Sequence, residues 1–259
     1  MRLMALFLAL AAAVAAQTAG PRLSVSLNDS SAPVILPGWP VVAQVSIANT
    51  SPQMELRLAP SRSVWPLAIR FAVAGPSGKP ESWGFELSAD PPQPAITIPA
   101  RSRTSVFLIL DPEKTAVLPA GVYALAAELE IIGSDGWNGR VRSSLARVEV
   151  KEPTATTPDQ ELELTLLRAT VQLLRKQHKE ARRILGEYLA VSKDAVPALR
   201  LMAEILEDEG DFARAYGYAA LAVNSYRGRQ VEAGHRSEPP GQLLSLRNRL
   251  WQKALDTAP

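Results

Sequence analysis

The stretch that decides the organisation of this chain is LRLMAEILEDEGDFARAYGYAALAV, Leu199 to Val223. Apolar residues recur in it at intervals of three and four, which is the spacing of an amphipathic helix. Gly210 interrupts this pattern, and Asp211 directly after it can cap a second helix. The stretch therefore predicts two helices joined by a tight turn.

This pair of helices resembles a tetratricopeptide repeat (TPR), a helix–turn–helix unit whose repeat length is about 34 residues. Small residues are expected in its second helix because neighbouring helices cross closely there. Apolar residues fill the first-helix positions and alanines the second-helix positions, namely Leu199, Met202, Ala203 and Leu206, then Ala215, Ala219 and Ala222. The resemblance implies a stack of helical hairpins that contacts other proteins through a face lined by first helices.

A second, less regular copy precedes the first. Two pairs of alanines are separated by one repeat length, namely Ala169/Ala203 and Ala181/Ala215. Two pairs of leucines are separated by one residue less, namely Leu166/Leu199 and Leu173/Leu206. The leucine spacing predicts that the first turn is one residue shorter, and Lys176 takes the place of the turn glycine. The pattern after Pro158 predicts five helices, near 158–176, 179–191, 194–209, 211–226 and 240–256. An unrelated bundle of helical hairpins is the alternative.

Both ends of such a stack need a cover, because two units are too few to be stable unaided. The last helix is expected to cover one end with the side chains of Leu243, Leu246, Leu250 and Trp251. The first helix carries two apolar stripes on nearly opposite sides, namely Leu162, Leu166, Ala169 and Leu173, and then Leu164, Leu167, Val171 and Leu174. The second stripe is expected either to pack within the chain or to line a groove for a partner peptide.

Residues 22 to 151 have the pattern of short strands. Runs such as VVAQVSIAN (41–49) are separated by turn-forming stretches such as PGWP and GSDGWNG. About nine such runs favour an antiparallel β-sandwich of immunoglobulin-like type. LPAGVYALAAELEI, from Leu118, resembles the late-strand entry of bacterial immunoglobulin-like and fibronectin-like domains. The resemblance implies that the Tyr123 hydroxyl ties a corner to the backbone, which is a structural role.

The first residues, MRLMALFLALAAAVAAQTAG, have the parts of a secretory signal, with a positive start, an apolar run from Leu3 to Ala16 and small residues before Gln17. The run is shorter than the roughly 20 residues of a membrane-spanning helix. A cleaved signal at residues 1–16 is therefore predicted, which leaves a periplasmic or extracellular protein without an integral membrane span. The chain has no cysteine, so an exported fold would be stabilised by core burial alone.

The stretch KEPTATTPDQ, from Lys151, separates the two patterns. It predicts a linker at 152–158 between a β-sandwich domain at 21–151 and a helical domain at 159–257. Thr157 and Gln160 fit a capping box around Pro158 at the first helical position. The predicted fold class is α+β with two domains, an antiparallel immunoglobulin-like β-sandwich followed by a TPR-like α-helical array.

Charge argues against nucleic acid as a partner. Residues 17 to 157 contain 12 Lys or Arg against 12 Asp or Glu, and residues 158 to 259 contain 15 against 14. Neither half has the basic excess that phosphate binding requires.

No motif predicts a catalytic residue, a cofactor or a metal site. His178 and His235 lie far apart in sequence and are expected to be solvated, whereas a metal site needs clustered ligands. A hydrolase with dispersed carboxylates is one alternative, and it requires a carboxyl pKa that is raised. A sugar-binding or adhesive sandwich is another, with Trp137 at a hairpin tip as the most exposed of its tryptophans.

The favoured function is an exported, non-catalytic module for protein–protein interaction or scaffolding. Its partner is a protein or peptide of unknown identity. The TPR resemblance implies a polar, partly acidic partner-binding surface made by Arg200, Glu204, Glu207 and Asp208. The second apolar stripe is the other candidate partner-binding surface.

Overall fold

The structure is a computed structural model that describes residues 20–30, 33–61, 63–89, 93–133, 135–153, 155–235 and 237–257. The chain divides into two compact units, with the division between Glu152 and Pro153. Strands dominate the first unit and helices the second, so the fold class is α+β. The predicted signal at residues 1–16 lies outside the described residues.

The first unit contains twelve strands within its described residues. They are β1 Pro21–Leu27, β2 Val34–Ile35, β3 Val41–Asn49, β4 Leu56–Leu58, β5 Ile69–Ala74, β6 Pro80–Glu81, β7 Glu86–Leu87, β8 Ile96–Ile98, β9 Arg103–Leu110, β10 Gly121–Ile131, β11 Gly139–Arg142 and β12 Ala146–Val150. A short helix, α1 Pro112–Thr115, separates β9 from β10. Each of the nine predicted runs contains a strand, and the two-residue strands β2 and β6 were not predicted.

The strands form two main sheets and one pair. The first sheet has the order β1-β3-β9-β7, the second has the order β2-β12-β10-β5-β6 with β11 also beside β10, and β4 pairs with β8. All these pairs are antiparallel except β2 with β12. Apolar side chains from both main sheets share one core, among them Leu23, Val45, Leu108, Leu125 and Val148. The first unit is therefore a sandwich of two sheets.

Ser143 breaks the last predicted run into β11 and β12. Its amide donates to the carbonyl oxygen of Ala127 at 2.8 Å, and its hydroxyl accepts from the Ala127 amide at 3.0 Å. The serine thus satisfies both backbone groups of a buried residue where the strand ladder is interrupted. The apolar alternation changes phase just after this point, from Val141 and Leu145 to Ala146, Val148 and Val150.

Tyr123 closes the corner at the start of β10, as predicted. Its hydroxyl donates to the carbonyl oxygen of Pro119 at 2.7 Å, and its ring is buried with an edge against the Trp83 indole. Burial of the ring, and next the charge of Glu81, raises the pKa of this hydroxyl. The hydroxyl therefore serves as a neutral donor that holds the corner.

The second unit consists of five helices within its described residues. They are α2 Pro158–Leu174, α3 His178–Val191, α4 Val196–Asp208, α5 Phe212–Glu232 and α6 Gly241–Asp256. All five were predicted, but α5 continues beyond its predicted end at residue 226. It passes Gly228 and ends at Glu232, two residues before Gly234, which has a positive φ of 73°. A glycine inside a helix costs only about 1 kcal/mol, which the rest of the helix offsets.

Two predicted helix caps are confirmed. The hydroxyl of Thr157 accepts from the Gln160 amide at 3.3 Å, and the Gln160 side chain accepts from the Thr157 amide at 2.9 Å. The carboxylate of Asp211 accepts from the Arg214 amide at 3.3 Å. Each cap satisfies backbone donors that the first turn leaves free.

The turns after α2 and α4 have the same construction and lie 34 residues apart (210 − 176). Lys176 and Gly210 hold the left-handed position, with φ of 59° and 79°. The turn hydrogen bonds correspond one to one. The Lys176 amide donates to the carbonyl oxygen of Leu173, as the Gly210 amide donates to that of Glu207. The Gln177 amide donates to the carbonyl oxygen of Gln172, as the Asp211 amide donates to that of Leu206. The prediction of a shorter first turn is therefore wrong. The leucine spacing is one residue shorter because the leucines occupy different positions relative to the turn on α2 and on α4.

One apolar core joins the helices of the second unit. From the first stripe of α2, Ala169 belongs to this core, as predicted, and the three leucines of the stripe pack against it. From α6 the buried residues are Leu243, Leu246 and Leu250, whereas Trp251 is 48% exposed. The prediction that Trp251 helps α6 to cover the other helices holds in part, because its ring packs at a tilt against Tyr216 of α5 with 5.0 Å between ring centroids. Among the described helices, none combines the length and the hydropathy needed to cross a bilayer.

Candidate functional site

The polar residues predicted to bind a partner all lie on α4. Arg200 and Asp208 are exposed, and Glu204 is partly exposed. The Arg200 guanidinium donates to the Glu204 carboxylate at 2.8 Å, one helical turn away. Asp208 has no ion pair with another described residue. These three residues follow one another at intervals of four, so they form a single polar stripe on the surface.

Glu207 differs from the other three because its carboxylate is engaged by α6. Arg249 donates to both of its oxygens, at 2.9 and 2.7 Å, and Lys253 donates at 2.8 Å. The hydrogen bond from Arg249 lowers the pKa of Glu207, although burial acts in the other direction. The Glu207 side chain is only 11% exposed. It ties α6 to α4, and the sequence pattern does not reveal this because its partners follow 42 and 46 residues later.

The second apolar stripe of α2 is largely withdrawn from solvent. Val171 is buried, and Leu164, Leu167 and Leu174 are partly buried. None of the four belongs to the apolar core of the helical unit, which takes the first stripe instead. Its role as a partner-binding surface stays a prediction.

A groove that the sequence did not predict lies between α2 and α3. It has a volume of about 410 Å³, and its apolar lining is Ile184, Tyr188 and Val191, with Val191 88% exposed. Glu161 and Arg168 of α2 form its other wall. The three apolar residues recur at helical spacing, which is the signal that could have identified this surface. Ile184 and Tyr188 also pack against the core of the helical unit, so Val191 is the exposed apolar residue among them.

Arg183 and Glu187 complete the charged border of this groove. The Arg183 guanidinium lies between two carboxylates, Glu180 at 2.6 Å and Glu187 at 2.5 Å. Glu161 and Arg168 on the opposite wall have no ion pair with another described residue. The groove therefore has both apolar and charged side chains along α3, with charges of opposite sign along α2.

The described residues contain no group of three or more His, Cys, Asp or Glu that could hold a metal ion. His235 is exposed, as expected. His178 is not the solvated residue that was expected, because its Nδ1 atom is buried without a hydrogen-bond partner in the described part of the chain. Among the described carboxyl groups a shifted pKa is found at Glu180 and Glu207, and arginine lowers both. A general acid requires the opposite shift.

The tryptophans of the sandwich lie in or against its core. Trp65 and Trp83 are buried. Trp137 is partly buried and packs against the core, and its amide donates to the carbonyl oxygen of Arg57 at 2.9 Å. Trp137 is the most exposed of the three, as predicted, but it is only partly exposed because its ring packs against the core. Sugar binding by this ring stays a prediction.

No family model matches the sequence, and no curated protein matches it. Solved structures with a partial likeness include the periplasmic chaperone SfaE (13% identity, TM-score 0.29, covering 54% of this chain and 64% of that chain). Another is the sporulation control protein Spo0M from Bacillus subtilis (10% identity, TM-score 0.32, covering 60% of this chain and 56% of that chain). A third is a β-glucosidase from Listeria innocua (15% identity, TM-score 0.30, covering 53% of this chain and 17% of that chain). This chain spans less than two thirds of the length of each, and at these TM-scores the likeness carries no argument about function.

Proposed function

We propose that this chain is an exported, non-catalytic protein-interaction module, in which an immunoglobulin-like β-sandwich precedes a TPR-like helical array. The observation that carries the proposal is the recurrence of one turn after one repeat length, with the same hydrogen bonds and the same left-handed position. Repeated hairpins stack on their neighbours and thereby present extended binding surfaces. The corner formed by Tyr123 supports the immunoglobulin-like assignment of the sandwich.

The partner-binding surface in this proposal is the stripe of Arg200, Glu204 and Asp208 on α4. Arg200 and Glu204 neutralise each other in part, which leaves the negative charge of Asp208 unpaired among the described residues. Such a surface suits a basic or mixed-charge protein segment. The second stripe of α2 is the proposed apolar companion surface, and Glu207 is excluded because α6 occupies its carboxylate.

Export and the absence of catalysis are parts of the same proposal. The support for export is the signal-like pattern of residues 1–16. The support for a non-catalytic role is the direction of the carboxyl pKa shifts, which favour the charged form in ion pairs rather than a proton donor.

Crosslinking followed by pull-down from the native cell envelope tests the proposal. The full chain should recover a specific exported protein, and the double variant Glu204→Lys, Asp208→Lys should recover about tenfold less of it. Glu113→Lys, an exposed charge reversal on the first unit, is the matched control and should behave as the parent chain. Equal recovery by the double variant and the parent would refute this assignment of the binding surface.

A further inference from the structure

The side of α5 that faces away from the core of the helical unit carries exposed apolar residues. The core takes four residues of this helix, namely Ala215, Ala219, Ala222 and Val223. On the other side Leu221 is 52% and Val231 is 71% exposed. Since each residue advances by about 100° around a helix, eight exposed residues of that side fall within about 100° of one another. They form the outer face of α5, namely Ala213, Arg214, Gly217, Leu221, Asn224, Gly228, Val231 and Glu232.

Two glycines lie on this outer face although the described residues do not require them there. A Cβ atom added at Gly217 or at Gly228 would meet no atom outside the backbone of its own helix within 4 Å. Glycine inside a helix lowers stability relative to alanine. It does allow another backbone to approach closely. With the exposed Leu221 between them, the glycines favour a second helix as the occupant of this face.

The charges at the two ends of the outer face are opposite in sign. Arg214 lies in the first turn of α5 and Glu232 is its last residue. They are 232 − 214 = 18 residues apart, which is five turns of about 3.6 residues, so both lie on the same edge of the face. Within the described part of the chain Glu232 has no ion pair, and Arg214 pairs with Asp211 at 3.3 Å. The outer face is therefore complementary in charge to an antiparallel copy of itself.

An antiparallel copy fits this face in one register, with a two-fold axis level with the midpoint between Ala222 and Val223. Gly217 and Gly228 lie equally far from that midpoint, so each glycine comes level with the other glycine of the second copy. The two Leu221 side chains lie about 2 Å from the same level and meet across the axis. Small residues therefore stand opposite small residues, and the two helices can approach closely.

The same register pairs the charges. Arg214 lies about 13 Å from that midpoint, and Glu232 lies about 14 Å from it toward the other end of the helix. Reversal of the second copy therefore places each arginine beside the glutamate of the other copy, in two equivalent places. Val231 comes beside Ala213 of the other copy along the other edge of the face.

We propose that two copies of the chain associate through the outer faces of α5, which pair antiparallel about a two-fold axis. The same surface serves in both copies, so the association closes as a dimer and does not extend further. Leu221 and the glycines form its centre, and the pairs of Arg214 with Glu232 form its two ends. This dimer goes beyond the proposed function and does not use the stripe on α4.

Sedimentation equilibrium of the full chain over roughly 1 to 100 µM tests the proposal. One helix pair is a small interface, so monomer and dimer should both be present in this range. Gly217→Leu should weaken association about tenfold, because its side chain holds the helices apart. Gly186→Leu is the matched control and should associate as the parent chain does. Gly186 is an exposed glycine inside α3, and a Cβ atom added there also meets no atom outside the backbone of its own helix within 4 Å.

The charge pairs permit a test that is specific to this register. Arg214→Glu and Glu232→Arg should each weaken association about tenfold, because each brings like charges together at both ends. An equimolar mixture of the two variants should associate as tightly as the parent chain. In that mixed dimer both ends again join opposite charges. Circular dichroism confirms that each variant folds.

Covalent crosslinking locates the two-fold axis independently. The chain has no cysteine, so Leu221→Cys introduces a single thiol that a short bismaleimide should convert to a covalent dimer. Leu67→Cys, at an exposed residue of the first unit, is the control and should stay monomeric. The proposal fails if the parent chain is a monomer at every concentration or if Gly217→Leu associates as tightly as Gly186→Leu. It also fails if the mixture of charge variants does not recover association.

Discussion

Lys176 and Gly210 hold the same left-handed backbone position in two turns that lie one repeat length apart, with φ of 59° and 79°. Glycine adopts this conformation without a steric penalty, whereas a residue with a Cβ atom is disfavoured in it by roughly 1 kcal/mol. The lysine adopts it nevertheless because helices packed on both sides require the turn. The backbone of this turn is thus set by packing at a position where the residue type opposes it.

Replacing the lysine should therefore stabilise the protein. We expect Lys176→Gly to raise the free energy of unfolding by about 0.5–1 kcal/mol, measured by urea denaturation with helical circular dichroism as the signal. Gly210→Lys is the matched reversal and should lower it by about 1 kcal/mol. An added Cβ atom at Gly210 meets no atom within 4 Å, so only the backbone contributes. A lower free energy of unfolding for Lys176→Gly together with a higher one for Gly210→Lys would contradict the equivalence of the turns.

Loss of the Glu207 carboxylate should weaken the attachment of α6. Glu207→Gln removes the charge from hydrogen bonds to Arg249 and Lys253, and we expect it to lower the free energy of unfolding by about 1.5–3 kcal/mol. Glu204→Gln removes the charge from an exposed ion pair with Arg200, one helical turn away. It should change the free energy of unfolding by less than about 0.5 kcal/mol. Thermal unfolding of both variants checks this. Equal effects would show that Glu207 is no more than a surface residue.

The same carboxylate predicts a pH dependence. Its pKa is lower in the folded chain than its ordinary value of 4.5, so the unfolded chain binds the proton more tightly. The stabilisation from Glu207 is therefore complete above pH 4.5 and is lost as the pH falls through the lowered folded value. The difference in unfolding free energy between the parent and Glu207→Gln should shrink over that acidic range. A constant difference would contradict the role of the charge.

The sequence predicted which residues lie on α4, but it could not rank them. Helical spacing places Arg200, Glu204 and Asp208 at the surface, and the structure agrees. Glu207 was grouped with them because periodicity describes one helix at a time. The positions of Arg249 and Lys253 depend on how α6 packs on α4, and nothing local to α4 encodes that.

The Tyr123 hydroxyl should contribute a measurable part of the stability of the sandwich. We expect Tyr123→Phe to lower the free energy of unfolding by about 1 kcal/mol, because the carbonyl oxygen of Pro119 loses its donor. Tyr218→Phe removes a hydroxyl without a hydrogen bond in the described part of the chain and should be nearly neutral. Differential scanning calorimetry compares the two. A Tyr123 variant as stable as the Tyr218 variant would rule out the corner hydrogen bond as a stabilising element.

The fold was predictable where the signal is local. Strand runs, the capping box at Thr157 and the five helices follow from periodicity and from cap chemistry. The break at Ser143, the continuation of α5 past Gly228 and the packing of Trp137 against the core were missed. Each depends on a tertiary contact, as the hydrogen bond from the Trp137 amide to Arg57 illustrates, and such a contact overrides the local preference of the segment.

Carboxyl footprinting tests the central claim, that this chain acts through a surface on α4, most directly. The protein recovered by crosslinking is added to the full chain, and the carbodiimide labelling of Glu204, Asp208 and Glu113 is quantified by mass spectrometry. The claim predicts that labelling of Glu204 and Asp208 falls severalfold while that of Glu113 stays constant. Unchanged labelling at both α4 carboxylates, with protection confined to the sandwich, would contradict it.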